Sequence, residues 1–186
     1  MMNWSLPLEV DIDGKSYKIR NKCDYRVVLD VIAVLNDNEL NQQEKVQCAL
    51  FIFYENVAEL PDAQIAVKEM LKIISVGEED DDPQEQQKPR LMDWSHDFTQ
   101  LAPPISRVLG YSVRDENHYT HWYDFVGAYM EIGECTFSTI VAIRSKKQKG
   151  KPLDNGEREF YKAHKKWVDL PHNFTVEEQE WLDSEW

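Results

Sequence analysis

The sequence predicts a mainly α protein of seven or eight amphipathic helices with a short N-terminal β-hairpin. Three observations carry that reading. Apolar residues recur at i, i+3, i+4 and i+7, as in Trp122, Phe125, Val126 and Tyr129. Cap residues precede several of these stripes, with Glu three positions on, as in Asn41 and Glu44. Period-two alternation surrounds the Asp13-Gly14 dipeptide.

The elements follow in order. Leu8, Val10 and Ile12 alternate with acidic residues, and Tyr17 and Ile19 alternate with basic ones across the Asp-Gly turn. That pattern is a hairpin, and two strands alone need a surface to lie on. Asp24 caps a helix to about Leu35, with Tyr25, Val28, Leu29, Ile32 and Leu35 on one face. Val27, Val31 and Val34 make that helix apolar nearly all round, and its β-branched content leaves a strand reading open. A second helix starts near Asn41 and lines up Val46, Ala49, Leu50, Phe53 and Val57. A third puts Val67, Met70, Leu71 and Ile74 on a stripe and stops at Gly77.

Further on, Trp94, Phe98 and Leu101 keep helical spacing up to Pro103-Pro104, where a kink or break is expected. Ile105, Val108 and Leu109 continue to Gly110. The Trp122 stripe ends at Gly133. Phe137, Ile140, Val141 and Arg144 follow on the next helix, which runs into lysines and Gly150. Asp154 and Glu157 cap a helix carrying Phe160, Trp167 and Val168. Thr175 and Glu178 form a capping box for a short last helix with Trp181 and Leu182.

The organisation is read from charge. Glu78-Glu79-Asp80-Asp81-Asp82 followed by Pro83 and Pro89 makes residues 77–90 an acidic linker. It separates an N-terminal hairpin plus helical lobe (1–76) from a C-terminal helical lobe (91–170) and an acidic tail (171–186). The chain has 186 residues and a net charge of −13. A field of that sign repels phosphates, which argues against nucleic acid and anionic membranes as partners. The charge is uneven. Arg144 to Lys166 holds nine basic and three acidic residues, whereas Val168 to Trp186 holds six acidic residues and no Lys or Arg. The longest apolar run, Ala49 to Tyr54, is far short of the roughly 20 residues a membrane span needs. No secretory signal is evident at the start. Cys23, Cys48 and Cys135 are odd in number and widely spaced, as expected of free thiols in a reducing cytoplasm.

Chemical motifs are sparse. The seven glycines do not cluster into a phosphate loop, and there is no GxSxG elbow or HExxH. His118 and His121, with Asp115 and Glu116, have the spacing of a partial metal set, but nothing completes it. Cys135 with His121 or His164 is a weak thiol–imidazole candidate. No catalytic, cofactor-binding or metal residue is assigned, and no small-molecule substrate is expected. The basic stretch Arg144, Lys146, Lys147, Lys149 and Lys151 suits contact with an acidic surface, including one on another copy. Trp122 is expected in the core. Trp4, Trp181 and Trp186 lie near the ends, where an aromatic can anchor a partner.

The segment HWYDFVGAYMEIGECTFSTIVAIRSKK (His121 to Lys147), followed by EREFY (Glu157 to Tyr161), resembles a family of small proteins from tailed bacteriophages of Gram-positive hosts. The N-terminal hairpin, DYRVVLDV (Asp24 to Val31), the acidic linker and the Asp93…Asp97…Tyr111 segment also fit. That family is similar to the phage tail assembly chaperones. The resemblance implies a non-enzymatic, helical cytoplasmic protein, absent from the finished virion, without cofactors or catalytic residues. It implies binding to the tape measure protein, recruitment of tail tube protein subunits, and self-association into a homo-oligomer. The tail from Pro171 to Trp186 lies outside the pattern. The alternatives are a structural tail or connector component and an acidic DNA mimic, the latter disfavoured by the +6 block from Arg144 to Lys166.

Overall fold

The computed structural model describes residues 5–77 and 90–171. Among these, the protein is mainly helical. Two antiparallel strands, β1 (Glu9–Ile12) and β2 (Lys15–Lys18), precede eight α-helices: α1 (Tyr25–Leu35), α2 (Gln42–Phe53), α3 (Ala63–Ile74), α4 (Trp94–Leu109), α5 (Trp122–Met130), α6 (Thr136–Gln148), α7 (Asn155–Ala163) and α8 (Lys165–Val168). The expected Thr175 helix, most of the acidic linker, and Trp4, Trp181 and Trp186 lie outside the described residues.

The chain divides into two compact units. The first holds residues 5–77 together with Tyr119–Phe125; the second holds residues 90–118 and 126–171.

In the first unit, the hairpin pairs Glu9 with Lys18 through to Ile12 with Lys15. Asp13 and Gly14 both have positive φ, 53° and 78°, so the turn matches the right-handed twist of its strands. Val10, Ile12, Tyr17 and Ile19 are buried, and β1 lies against α3, which supplies the surface that the hairpin needs. A side chain at position 14 would meet open space, so only the backbone opposes one. Gly14→Val should therefore destabilise this unit by about 1–2 kcal/mol, read by urea titration. An unchanged midpoint would mean that the turn relaxes to another type.

α1 packs on α2, and α2 on α3. Asp24 caps α1, accepting from the Arg26 N–H, and α1 is fully helical. Asn41 and Glu44 form the capping box of α2. The C-terminal end of α2 is closed by Arg20. Its guanidinium donates to the carbonyls of Phe51, Ile52 and Tyr54 at 2.9–3.0 Å, a cation placed where the helix dipole is negative. The faces are rotated from those the spacing implies. On α1, Tyr25, Val27, Val28 and Val31 are buried, while Leu29, Ile32 and Leu35 are half-buried. On α3, Ala66 and Met70 face inward and Leu71 is exposed. α2 ends at Phe53, and Val57 sits in a separate 3-10 turn (Val57–Glu59), because Tyr54 leaves the helix to bridge Ile19.

In the second unit, α4 runs through Pro103 and Pro104 without the expected break. Each proline removes one backbone donor, but the helix buries Leu101, Ala102, Pro104 and Ile105 together, and packing offsets the lost bonds. Gly110, at φ 80°, terminates it. The single helix expected from Asp154 to Val168 is instead two. The Asp154–Glu157 capping box starts α7, and His164 ends it at φ −126°, ψ 34°. The turn lets Val168 on α8 reach Ile140 and Ile143 of α6, a cluster covered by Leu153, Phe160 and Tyr161.

Candidate functional site

The first unit gathers its titratable residues where Tyr119–Phe125 meets the start of α1. The Tyr25 N–H donates to the Thr120 carbonyl and the Trp122 N–H to the Cys23 carbonyl, both at 2.9 Å. Asp24 is buried and accepts from the Thr120 N–H as well as from Arg26. His121 is fully buried. Its Nδ1 accepts from the Tyr123 N–H at 3.0 Å, and its Nε2 lies 3.1 Å from the Pro7 carbonyl. A carbonyl only accepts, so Nε2 carries the proton and the ring is the neutral tautomer. Both ring nitrogens are thus spent on backbone. His118 goes elsewhere, stacked on Tyr111 at 3.7 Å. The structure therefore leads the pair to separate structural tasks, and no group of three His, Cys, Asp or Glu side chains gathers among the described residues.

Aromatic packing completes this region. Phe125 stacks on Tyr25 with centroids 4.2 Å apart and 5° between planes. Trp122, buried as its stripe implies, donates Nε1–H to the Ile74 carbonyl at 2.9 Å.

The thiols divide by environment. Cys23 is buried, and desolvation pushes its thiol up to about 12, so it holds almost no thiolate near neutral pH. Cys48 is exposed on α2. At pH 7.5, one equivalent of iodoacetamide should label Cys48 and leave Cys23 intact until denaturant is added. Mass spectrometry reads the sites, and early modification of Cys23 would contradict the burial described. Cys135 opens α6. The Ser138 hydroxyl accepts from the Cys135 N–H and donates to its carbonyl, and no imidazole pairs with the thiol among the described residues.

The second unit is organised by Arg144. The sequence groups this residue with a basic surface stretch, but it is 4 % exposed. Its guanidinium uses all five N–H donors. Nη1 and Nη2 bind the two carboxylate oxygens of Asp97 at 2.7 Å each. Nη1 also reaches the Leu91 carbonyl, Nη2 the Trp167 carbonyl, and Nε the Val168 carbonyl. Asp97 in turn accepts at 3.0 Å from the N–H of Asp93, the N-cap of α4. One side chain on α6 therefore fixes α4, the Leu91 segment that leads into it, and α8. Lysine has neither the planar fork nor the five donors to do so.

Beside Arg144 is an open cleft of about 320 Å³, lined by Arg90, Arg144, Lys147, Gln148, Val168, Asp169 and Leu170. Lys147 lies 4.0 Å over the Tyr161 ring, donates to the Tyr161 hydroxyl and pairs with Asp169. Burial raises the Asp169 pKa, but the bonds from Lys147 and Tyr161 outweigh it and hold the carboxyl below its usual range. Lys146 pairs with Glu157 and ties α6 to α7. A second cleft, of about 250 Å³, lies beside β2 in the first unit between Ser16, Tyr17, Lys18 and the Tyr54–Glu59 segment.

These residues brace the fold. The buried titratable groups Asp24, Asp97, His121 and Arg144 are each held by named partners, and none addresses a cleft with a free proton-transfer atom. Sequence reasoning missed the Asp97–Arg144 pair. Its signal was an arginine in phase with Phe137 and Ile140, on the apolar stripe of α6.

The fold and site thus define a helical two-unit protein with structurally committed polar groups and a basic cleft. The chain belongs to the Bacteriophage Gp15 protein family, whose family model matches residues 2–170. Neither a curated protein nor a solved structure matches the chain. Membership of a phage family points to a structural or assembly role in the phage. No helix among the described residues is long and apolar enough to cross a membrane.

Proposed function

We propose that the protein is a non-enzymatic tail assembly chaperone, binding the tape measure protein and helping to bring tail tube subunits to it in the host cytoplasm. The observation that carries this reading is the match to a phage protein family over residues 2–170, joined to buried side-chain polar atoms that all have hydrogen-bond partners among the described residues. Helical faces also retain apolar side chains in water. Phe51 on α2 and Met130 on α5 are each about two-thirds exposed, and Ile65, Leu71 and Val108 are partly so. Apolar residues presented on helices suit docking of long amphipathic partner helices, and methionine adapts to varied partners. The net charge of −13 favours keeping such a complex dispersed.

Quantitative mass spectrometry of purified virions distinguishes this from a tail or connector component. A chaperone is present in lysates and depleted from finished particles. A copy number in virions close to that of known tail proteins would assign it a structural place instead.

A further inference from the structure

We infer that the corner between α7 and α8 is a docking surface for an acidic protein segment, with Trp167 as its anchor and Lys162, Lys165 and Lys166 as its cations. The inference stands apart from the identity of the phage partner.

The first support is where uncompensated charge lies. Of the nine basic residues from Arg144 to Lys166, four are committed. Arg144 is buried on Asp97, Lys146 pairs with Glu157, Lys147 pairs with Asp169, and Arg158 donates to the carbonyls of Leu153 and Asp154. Lys149, Lys151, Lys162, Lys165 and Lys166 are exposed and have no carboxylate within ion-pair distance among the described residues. The excess is not in the cleft beside Arg144, where Arg90 pairs with Asp93 and Lys147 with Asp169. It gathers at the break between the two helices, where Lys162 closes α7 and Lys165 and Lys166 open α8.

The second support is the aromatic set among these lysines. Trp167 follows Lys166 directly and is 38 % exposed. Its ring stacks on His164 with centroids 4.2 Å apart and 12° between planes, and Phe160 backs His164 at 4.7 Å. Its carbonyl is held by Arg144. The indole N–H of Trp122 is spent on Ile74, whereas that of Trp167 makes no hydrogen bond among the described residues. A part-exposed tryptophan already fixed in place loses little freedom on binding, as interface anchors require.

The third support is the chemistry of the free cations, which are all lysine. Arg90, Arg144 and Arg158, whose planar forks suit phosphate, are engaged within the fold. Nucleic acid is a dense line of phosphates, which the net charge of −13 opposes most strongly. A peptide with a few clustered carboxylates and one aromatic or apolar side chain fits better. Its carboxylates meet the ammonium groups and its side chain packs beside Trp167. Single exposed pairs are weak, so several must form at once and the contact is salt-sensitive.

Fluorescence anisotropy of labelled poly(Glu,Tyr), titrated with the full-length protein in low salt, tests this. Saturable binding is expected, weakening about tenfold in the variant Lys162→Gln, Lys165→Gln, Lys166→Gln. The variant Lys15→Gln, Lys18→Gln, Lys68→Gln makes the same change in net charge on the first unit and should bind as the parent does. Trp167→Ala should weaken poly(Glu,Tyr) about tenfold but poly-L-glutamate, which lacks the aromatic, by no more than about twofold. The lysine variants alter only exposed side chains, so the test stands even where Trp167→Ala fails to fold. No saturable binding, or equal losses in the two lysine variants, would overturn the proposal. So would an unchanged affinity in a folded Trp167→Ala protein. Oligothymidylate bound more tightly than poly(Glu,Tyr) would assign the surface to nucleic acid and overturn it as well.

Discussion

Arg144→Met is expected to destabilise the second unit by about 3–5 kcal/mol, the usual loss when one partner of a buried ion pair is removed. The reason lies in what remains. The buried Asp97 carboxyl would lose the two bonds it now receives from Arg144, and three backbone carbonyls, of Leu91, Trp167 and Val168, would lose a donor. Arg144→Lys should recover only a fraction, since an ammonium cannot span both carboxylate oxygens and three carbonyls. The double variant Asp97→Leu, Arg144→Met should lie between the parent and the single variant, because the unpartnered carboxyl is gone and only the carbonyls remain unpaired. Urea titration with hydrogen exchange on α6 amides gives the values. An Arg144→Met loss below about 1 kcal/mol, as for an exposed pair, would contradict the hub described.

Phe125→Ala carries the second large effect, expected at about 3–5 kcal/mol in the first unit. Phe125 is fully buried between Tyr25, at 4.2 Å, and Trp122, at 5.9 Å. Truncation opens a cavity between the start of α1 and the Tyr119–Phe125 segment, whose backbone bonds to Cys23 and Tyr25 resist collapse into it. Phe51→Ala is the matched control. Phe51 is 67 % exposed, so its removal should change stability by no more than about 0.5 kcal/mol. Equal losses at the two positions would mean that the stack contributes nothing beyond surface burial.

Caps and turns were the most legible part of the fold, because each depends on neighbours a few residues apart. Asp24, Asn41 with Glu44, Asp154 with Glu157, Asp13-Gly14 and Gly110 all do what their local chemistry implies. Which face is buried was less legible. α1 and α3 are apolar over a wide arc, and the neighbour that covers them, not the stripe itself, chooses between Leu71 and Met70. The continuity of α4 through its prolines and the break at His164 were hard to read for a related reason. Packing of Ile105 overrides the lost donors, and burial of Val168 turns the chain. The site was least legible. Arg144 sits 47 residues from Asp97, and His121 sits 114 residues from Pro7; no local pattern reports such separations. The structural work of His121, both ring nitrogens spent on backbone, has no sequence signal at all.

The proposed role is to hold the tape measure protein during tail assembly. Co-expression of the two full-length chains, followed by quantification of soluble tape measure protein and of the complex that co-purifies, tests it most directly. Tape measure protein is expected to become soluble only with this chain and to elute bound to it. Tape measure protein that precipitates equally with and without this chain, or that stays soluble alone and never co-purifies, would contradict it.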